Sequence, residues 1–86
     1  MKSFKLIVST PDGNVLDGEA ELISLRGTEG SLAVMAGHIP FITTTKEGQV
    51  KVITGDKELI ANSSSGVLTV TKEGVTLLCG TFEFNE

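Results

Sequence analysis

Hydrophobic and polar residues alternate along most of this chain with a period of two, the spacing of a strand that buries one face. Phe4, Leu6 and Val8 alternate with Lys5, Ile7 and Ser9, which predicts a first strand. It ends at Thr10-Pro11-Asp12-Gly13-Asn14, a turn in which proline presets φ and glycine accepts a positive one. Val15-Leu16 opens a second strand, and Gly18 is expected to mark a bulge or corner in it. Glu19 to Arg26 reads as a further strand with Ile23 and Leu25 on one face. Gly27-Thr28-Glu29-Gly30 is a loop, and Leu32 to Met35 is a short apolar strand. Gly37-His38-Ile39-Pro40 is a second loop, with Ile39 driven toward extended geometry by the proline after it.

The rhythm continues in the second half. Phe41 to Thr45 is rich in β-formers, Lys46-Glu47-Gly48 turns, and Val50 and Val52 alternate with Gln49 and Lys51. Thr54-Gly55-Asp56-Lys57 reads as a tight hairpin, because Gly-Asp between two strand-like runs is a two-residue turn signal. Lys57 to Ala61 suits a returning strand, and its Lys, Glu, Leu and Ala suit a short helix as well. Residues 62–66 loop, Leu68 and Val70 lead to the turn Lys72-Glu73-Gly74, and Val75, Leu77 and Cys79 form the next strand. Phe82 and Phe84 belong to the last. Ten glycines and two prolines leave no stretch free of both longer than ten residues, whereas an average helix runs about 11–12. Val, Ile and Thr supply 24 of 86 residues and prefer a pleated, half-buried surface. The expectation is one all-β domain spanning residues 1–86, with roughly nine or ten short strands in a sandwich or barrel.

Composition narrows the function classes. A net charge of −4 and a pI near 4.9 argue against a nucleic-acid partner, whose phosphates are neutralised by Lys and Arg. No apolar run approaches the ~18 residues of a membrane span, and Met1-Lys2-Ser3-Phe4 is no apolar signal segment. One cysteine, Cys79, excludes an internal disulfide and suits a reducing cytosol.

Residues able to carry chemistry are few. His38 and Cys79 fall short of the four ligands of a structural zinc. Asp12-Gly13-Asn14 begins like a calcium loop, but Asp17 stands where glycine is required and Ile23 where glutamate is. Gly13 and Gly18 have P-loop spacing, but Glu19 follows instead of lysine. Ser63, Ser64 and Ser65 sit in a loop without a Gly-x-Ser-x-Gly elbow. Asn62-Ser63-Ser64 matches a glycosylation acceptor without a secretory signal. No catalytic, cofactor or metal residue is assigned.

Leu25 to Thr43 carries the chain's most specific pattern. Glu29-Gly30, Leu32, Gly37-His38 and Pro40 match, with Val34 and Phe41 as conservative replacements, the Glu-Gly-x-Leu-Gly-Ile-x-Pro-Gly-His-x-Pro-Leu run of one family. On these residues the chain resembles the N-terminal domain of the epsilon subunit of F-type ATP synthases. The likeness extends to Phe4–Pro11, Val15–Gly18, Gly48–Val52, Ser65–Val70 and Val75–Leu78. Ala33 stands for a family glycine, Ala36 for a proline and Ser65 for the first of two glycines. The family's C-terminal helix pair has no counterpart within the 86 residues. Its inhibition of ATP hydrolysis, and the ATP binding of some members, are therefore not carried over.

The resemblance implies a ten-stranded β-sandwich that is a non-catalytic rotor part, peripheral to the cytoplasmic face of the membrane. It would pack on the gamma subunit and touch the c-ring, coupling proton or sodium translocation to ATP synthesis, with no cofactor or small-molecule ligand. It places Thr28, Glu29, Gly30 and Ser31 on the c-ring side. It places Thr10 with Gly37, His38, Ile39, Pro40 and Phe41 on the gamma side. The alternative is a stand-alone β-sandwich that binds a protein or ligand. Such a module usually displays aromatics, and this chain has no Trp, no Tyr and four Phe. A hydrolase would rest only on His38, serines and carboxylates.

Overall fold

The computed structural model describes residues 2–37 and 39–85. Ten strands run in chain order: β1 (Phe4–Thr10), β2 (Gly13–Ala20), β3 (Leu22–Gly27), β4 (Gly30–Met35), β5 (Phe41–Thr45), β6 (Gly48–Thr54), β7 (Lys57–Ser63), β8 (Gly66–Val70), β9 (Val75–Cys79) and β10 (Phe82–Phe84). They are hydrogen-bonded in the order β10-β7-β6-β3-β5-β8-β9-β1-β2, with β4 on the other edge of β3. β3 and β5 meet at the single pair Gly27–Thr45, and the strand order folds there into two stacked halves. Sheet I is β10-β7-β6-β3-β4 and sheet II is β5-β8-β9-β1-β2. All pairings are antiparallel except β1 with β9.

The alternating residues fill the space between the halves. Leu6 and Val8, Ile23 and Leu25, Val50 and Val52, Leu68 and Val70, and Val75, Leu77 and Cys79 are buried together. Ala20, Val34, Ala61 and Phe82 complete this core. Each fully buried Leu or Val contributes about 1.5–3 kcal/mol over its exposed state. Away from the seam the halves close through Leu6, Leu16 and Ala20 of sheet II, which share a small cavity with Val52 and Leu59 of sheet I.

Two local readings change, and one left open is decided. Gly18 pairs in register with Leu6, and the irregularity lies between Val8 and Ser9, where Val15 is the extra residue. Glu19 to Arg26 is interrupted at Glu21. Both Ala20 and Ile23 are buried, a spacing of three that no strand of period two can keep. The chain crosses there from sheet II to sheet I, and Glu21 N donates to Ile53 O at 2.7 Å. Lys57–Ala61 is strand, not helix, because Lys57 to Ser63 pairs in continuous register with Thr54 to Gly48.

Candidate functional site

The register sorts every connection to one of two ends. In sheet II, β1, β9 and β5 run one way and β2 and β8 the other. In sheet I, β3 and β7 oppose β4, β6 and β10. The Gly27–Thr45 pair aligns the two sets. The upper end therefore holds Pro11-Asp12, Thr28-Glu29, Lys46-Glu47, Ser64-Ser65 and Gly80-Thr81. The lower end holds Glu21, Ala36, Gly37, Ile39, Pro40, Gly55-Asp56 and Lys72-Glu73.

Upper-end turns are tied by short polar contacts. Asp12 N donates to Thr10 Oγ1 at 3.2 Å, and that hydroxyl donates to Gly13 O at 3.3 Å. This is the local side-chain turn that Thr favours. Thr28 Oγ1 lies 3.2 Å from Thr44 Oγ1, which holds the first hairpin of sheet I against β5. Lys46 N donates to Arg26 O at 2.9 Å. Ser64 Oγ accepts from Gly80 N and Thr81 N, both at 2.9 Å. Arg26 and Lys46 flank Gly27, Gly30 and Ser31 in a hollow of about 180 Å³, so the loop that contains Glu29 also has two cations beside it. Such an edge suits a small, polar, charge-sensitive contact.

The lower end is concave. A cleft of about 630 Å³ lies between the β4–β5 loop and the β8–β9 turn. Met35, Ile39 and Pro40 form one wall, and Lys72 and Glu73 the other. Met35 and Ile39 are exposed. Gly37 has φ +86°, a left-handed conformation that explains why glycine stands at this position of the motif.

The sequence-predicted residues are thus divided between the ends. Thr28, Glu29, Gly30 and Ser31 gather at the upper end around the β3–β4 hairpin. Gly37, Ile39 and Pro40 line the lower-end cleft, and Phe41 begins β5 beside them, paired with Val70. Thr10 sits at the upper end beside Pro11, Ser65 and Gly80, away from the lower-end residues with which the resemblance groups it. His38 lies outside the described residues. No cluster of three or more His, Cys, Asp or Glu able to hold a metal occurs among the described residues. Among the described residues no helix is long and apolar enough to cross a membrane.

One surface escaped the sequence reading. The outer face of sheet II carries Ile42, Val67 and Leu78, exposed at 72%, 36% and 49%. Ile42 pairs with Thr69, Val67 with Leu78, and Thr69 with Thr76. Thr76 pairs with Ile7 and Leu78 with Ser9. This stretch contains no charged residue, and it joins the lower end at Phe41 to the upper end at Thr10. The signal was present in the doubled apolar positions Phe41-Ile42, Val67-Leu68 and Leu77-Leu78, which give both faces of one strand a hydrophobic residue.

Residues 3–85 match the model of the family described as ATP synthase, Delta/Epsilon chain, beta-sandwich domain. The chain is 38% identical over 87 residues to the ATP synthase epsilon chain of Bacillus licheniformis, covering all of this chain and 66% of that one. It is 38% identical over 78 residues to the sodium ion specific epsilon chain of Propionigenium modestum, covering 91% and 57%. The epsilon chain of Frankia casuarinae is 33% identical over 78 residues, covering 90% of this chain and 92% of that one. The chain thus spans about two thirds of the length of the Bacillus relative. In fold, it superposes on a chain of the Euglena gracilis mitochondrial ATP synthase OSCP/F1/c-ring structure with a TM-score of 0.88. The identity there is 24%, and the match covers 95% of this chain and 53% of that one. A ten-stranded sandwich built on these residues, matched by the family model over nearly its whole length, belongs to the delta/epsilon-chain β-sandwich family of ATP synthases.

Proposed function

We propose that this chain is a non-catalytic rotor part of a rotary ATP synthase, seated between the gamma subunit and the c-ring on the cytoplasmic face of the membrane. Its role is mechanical: it carries ion-driven rotation to the shaft that drives ATP synthesis. The observation that carries this reading is the family match over residues 3–85.

The geometry suits a part gripped from more than one side. The Thr28–Ser31 hairpin at the upper end is the c-ring contact, where Glu29, Arg26 and Lys46 make attachment sensitive to charge and salt. Gamma takes the other set. Thr10 and Phe41 lie at opposite ends but in the same sheet, so one gamma surface that reaches both lies along the outer face of sheet II. Ile42, Val67 and Leu78 are then the apolar centre of that contact, with Gly37, Ile39 and Pro40 at its lower rim. The uncharged, threonine-rich patch from β5 to β9, with Lys5, Asp17 and Glu19 kept to the β1–β2 margin of the same face, suits a lasting attachment, because the core of an interface is depleted in charge.

Co-expression with the gamma subunit of the same enzyme tests the reading. Co-purification in equal amounts is expected. Separate elution of two folded proteins overturns the assignment.

A further inference from the structure

One position on the inner face of sheet II has no side chain. Leu6 is buried, and residues directly opposite in an antiparallel pair share a face. Gly18 pairs with Leu6, between the pairs Val8–Leu16 and Phe4–Ala20. β2 therefore turns Leu16, Gly18 and Ala20 to the interior in succession. Gly18 has an ordinary φ, and a Cβ added to it meets nothing within 4 Å, so neither the backbone nor a close neighbour demands glycine there. The space that a side chain would occupy belongs to the cavity of about 130 Å³ bounded by Leu6, Leu16 and Ala20 on one side and Val52 and Leu59 on the other.

The walls of this cavity are apolar. Glu19 also borders it, but by alternation its side chain turns to the outer face, where the carboxylate accepts from Ser3 Oγ at 2.8 Å. Thr54 then brings the one hydroxyl among the lining side chains. A well-held buried water makes two to four hydrogen bonds, more than that hydroxyl supplies. Gly18 is exposed and Leu16 and Leu59 are half-buried. The cavity therefore opens to solvent between β2 and the β6–β7 hairpin, and it can be entered without unfolding.

We propose that this cavity binds a small uncharged apolar molecule, a single benzene-sized ring, seated where a side chain of residue 18 would lie. Size and polarity choose this class. An apolar cavity of about 150 Å³ holds benzene, and this one is of similar volume. An ionised ligand would give up its hydration for a single hydroxyl, so charge is excluded. None of the lining residues belongs to the sets given to gamma or the c-ring, and the site does not depend on either attachment.

Titration of the ¹⁵N-labelled chain with benzene, followed through amide resonances, tests the proposal. Saturable shifts are expected at Leu6, Gly18, Ala20 and Leu59, and none at Ile42 or Leu78 on the outer face of sheet II. Benzoate at the same concentrations is expected to leave the cavity resonances in place. Gly18→Val fills the cavity from sheet II and Leu59→Phe fills it from sheet I, and each is expected to weaken benzene binding at least ~10-fold. Asp17→Val adds the same valine to the outward-facing neighbour and is expected to bind as wild type does. Circular dichroism confirms that each variant is folded. A wild type without saturable shifts overturns the proposal, as do shifts centred on Ile42 and Leu78. Benzoate binding as well as benzene, or a folded Gly18→Val or Leu59→Phe binding like wild type, overturns it too.

Discussion

Gly66 is the position where the backbone leaves least room for a side chain. It opens β8 and pairs with Cys79 of β9. A Cβ added there would overlap the Leu78 carbonyl oxygen and lie 2.9 Å from the Leu78 carbonyl carbon and 3.0 Å from the Cys79 Cα. All three are backbone atoms, so no rotamer change relieves the clash, and the upper ends of β8 and β9 must separate. Overpacking of this kind costs about 1–3 kcal/mol. Losing two ladder hydrogen bonds adds about 0.5–1.5 kcal/mol each. Gly66→Ala is thus expected to destabilise by about 2–6 kcal/mol, against about 4–13 kcal/mol for a domain of this length. At about 4–8 °C per kcal/mol, the melting temperature falls by more than about 8 °C. Thermal unfolding followed by circular dichroism measures this, with urea unfolding as a check on the free energy. A melting point within about 2 °C of wild type would refute the close approach, and with it the β8–β9 register from which the outer face of sheet II is derived.

Three further variants probe other features. Gly18→Ala should be neutral or stabilise by about 0.4–1 kcal/mol, since Gly18 has ordinary φ and nothing within 4 Å of an added Cβ; a marked loss of stability would restore the bulge or corner. Thr45 is buried and its Oγ1 has no hydrogen-bond partner among the described residues, so Thr45→Val should raise stability in urea by about 1 kcal/mol, and a loss would show that the hydroxyl is satisfied. Burial pushes the Cys79 thiol above its ordinary value, so the unfolded chain loses this proton first. Stability should be level below about pH 8.5, decline as pH rises through the alkaline range, and decline less in Cys79→Val; equal slopes would contradict a buried neutral thiol.

What the sequence disclosed was local. Thr10 to Gly13 and Thr54 to Lys57 turn where their residues predict, because the geometry of a tight turn is set by the few residues inside it. The alternation of Leu6 and Val8, or of Val50 and Val52, reports a buried face without reference to what covers it. The crossing at Glu21 was hidden because Glu19 to Arg26 contains no glycine or proline; the spacing from Ala20 to Ile23 was its only trace. Lys57–Ala61 was undecided because its residues suit both states and only pairing with β6 settles it. The division of the contact residues between two ends was beyond reach. It depends on β1 lying parallel to β9 and on the Gly27–Thr45 seam, both made between segments distant in sequence.

The central claim is that this domain is held by gamma along the outer face of sheet II. Calorimetric titration of the chain with the gamma subunit of the same enzyme tests it most directly, with Ile42→Glu/Leu78→Glu titrated beside wild type. Both side chains are exposed, so the variant should fold normally. Wild type is expected to bind one to one. The double variant, with two unpaired carboxylates at the centre of the contact, is expected to bind at least ~100-fold more weakly. Equal binding by a folded double variant would contradict the account.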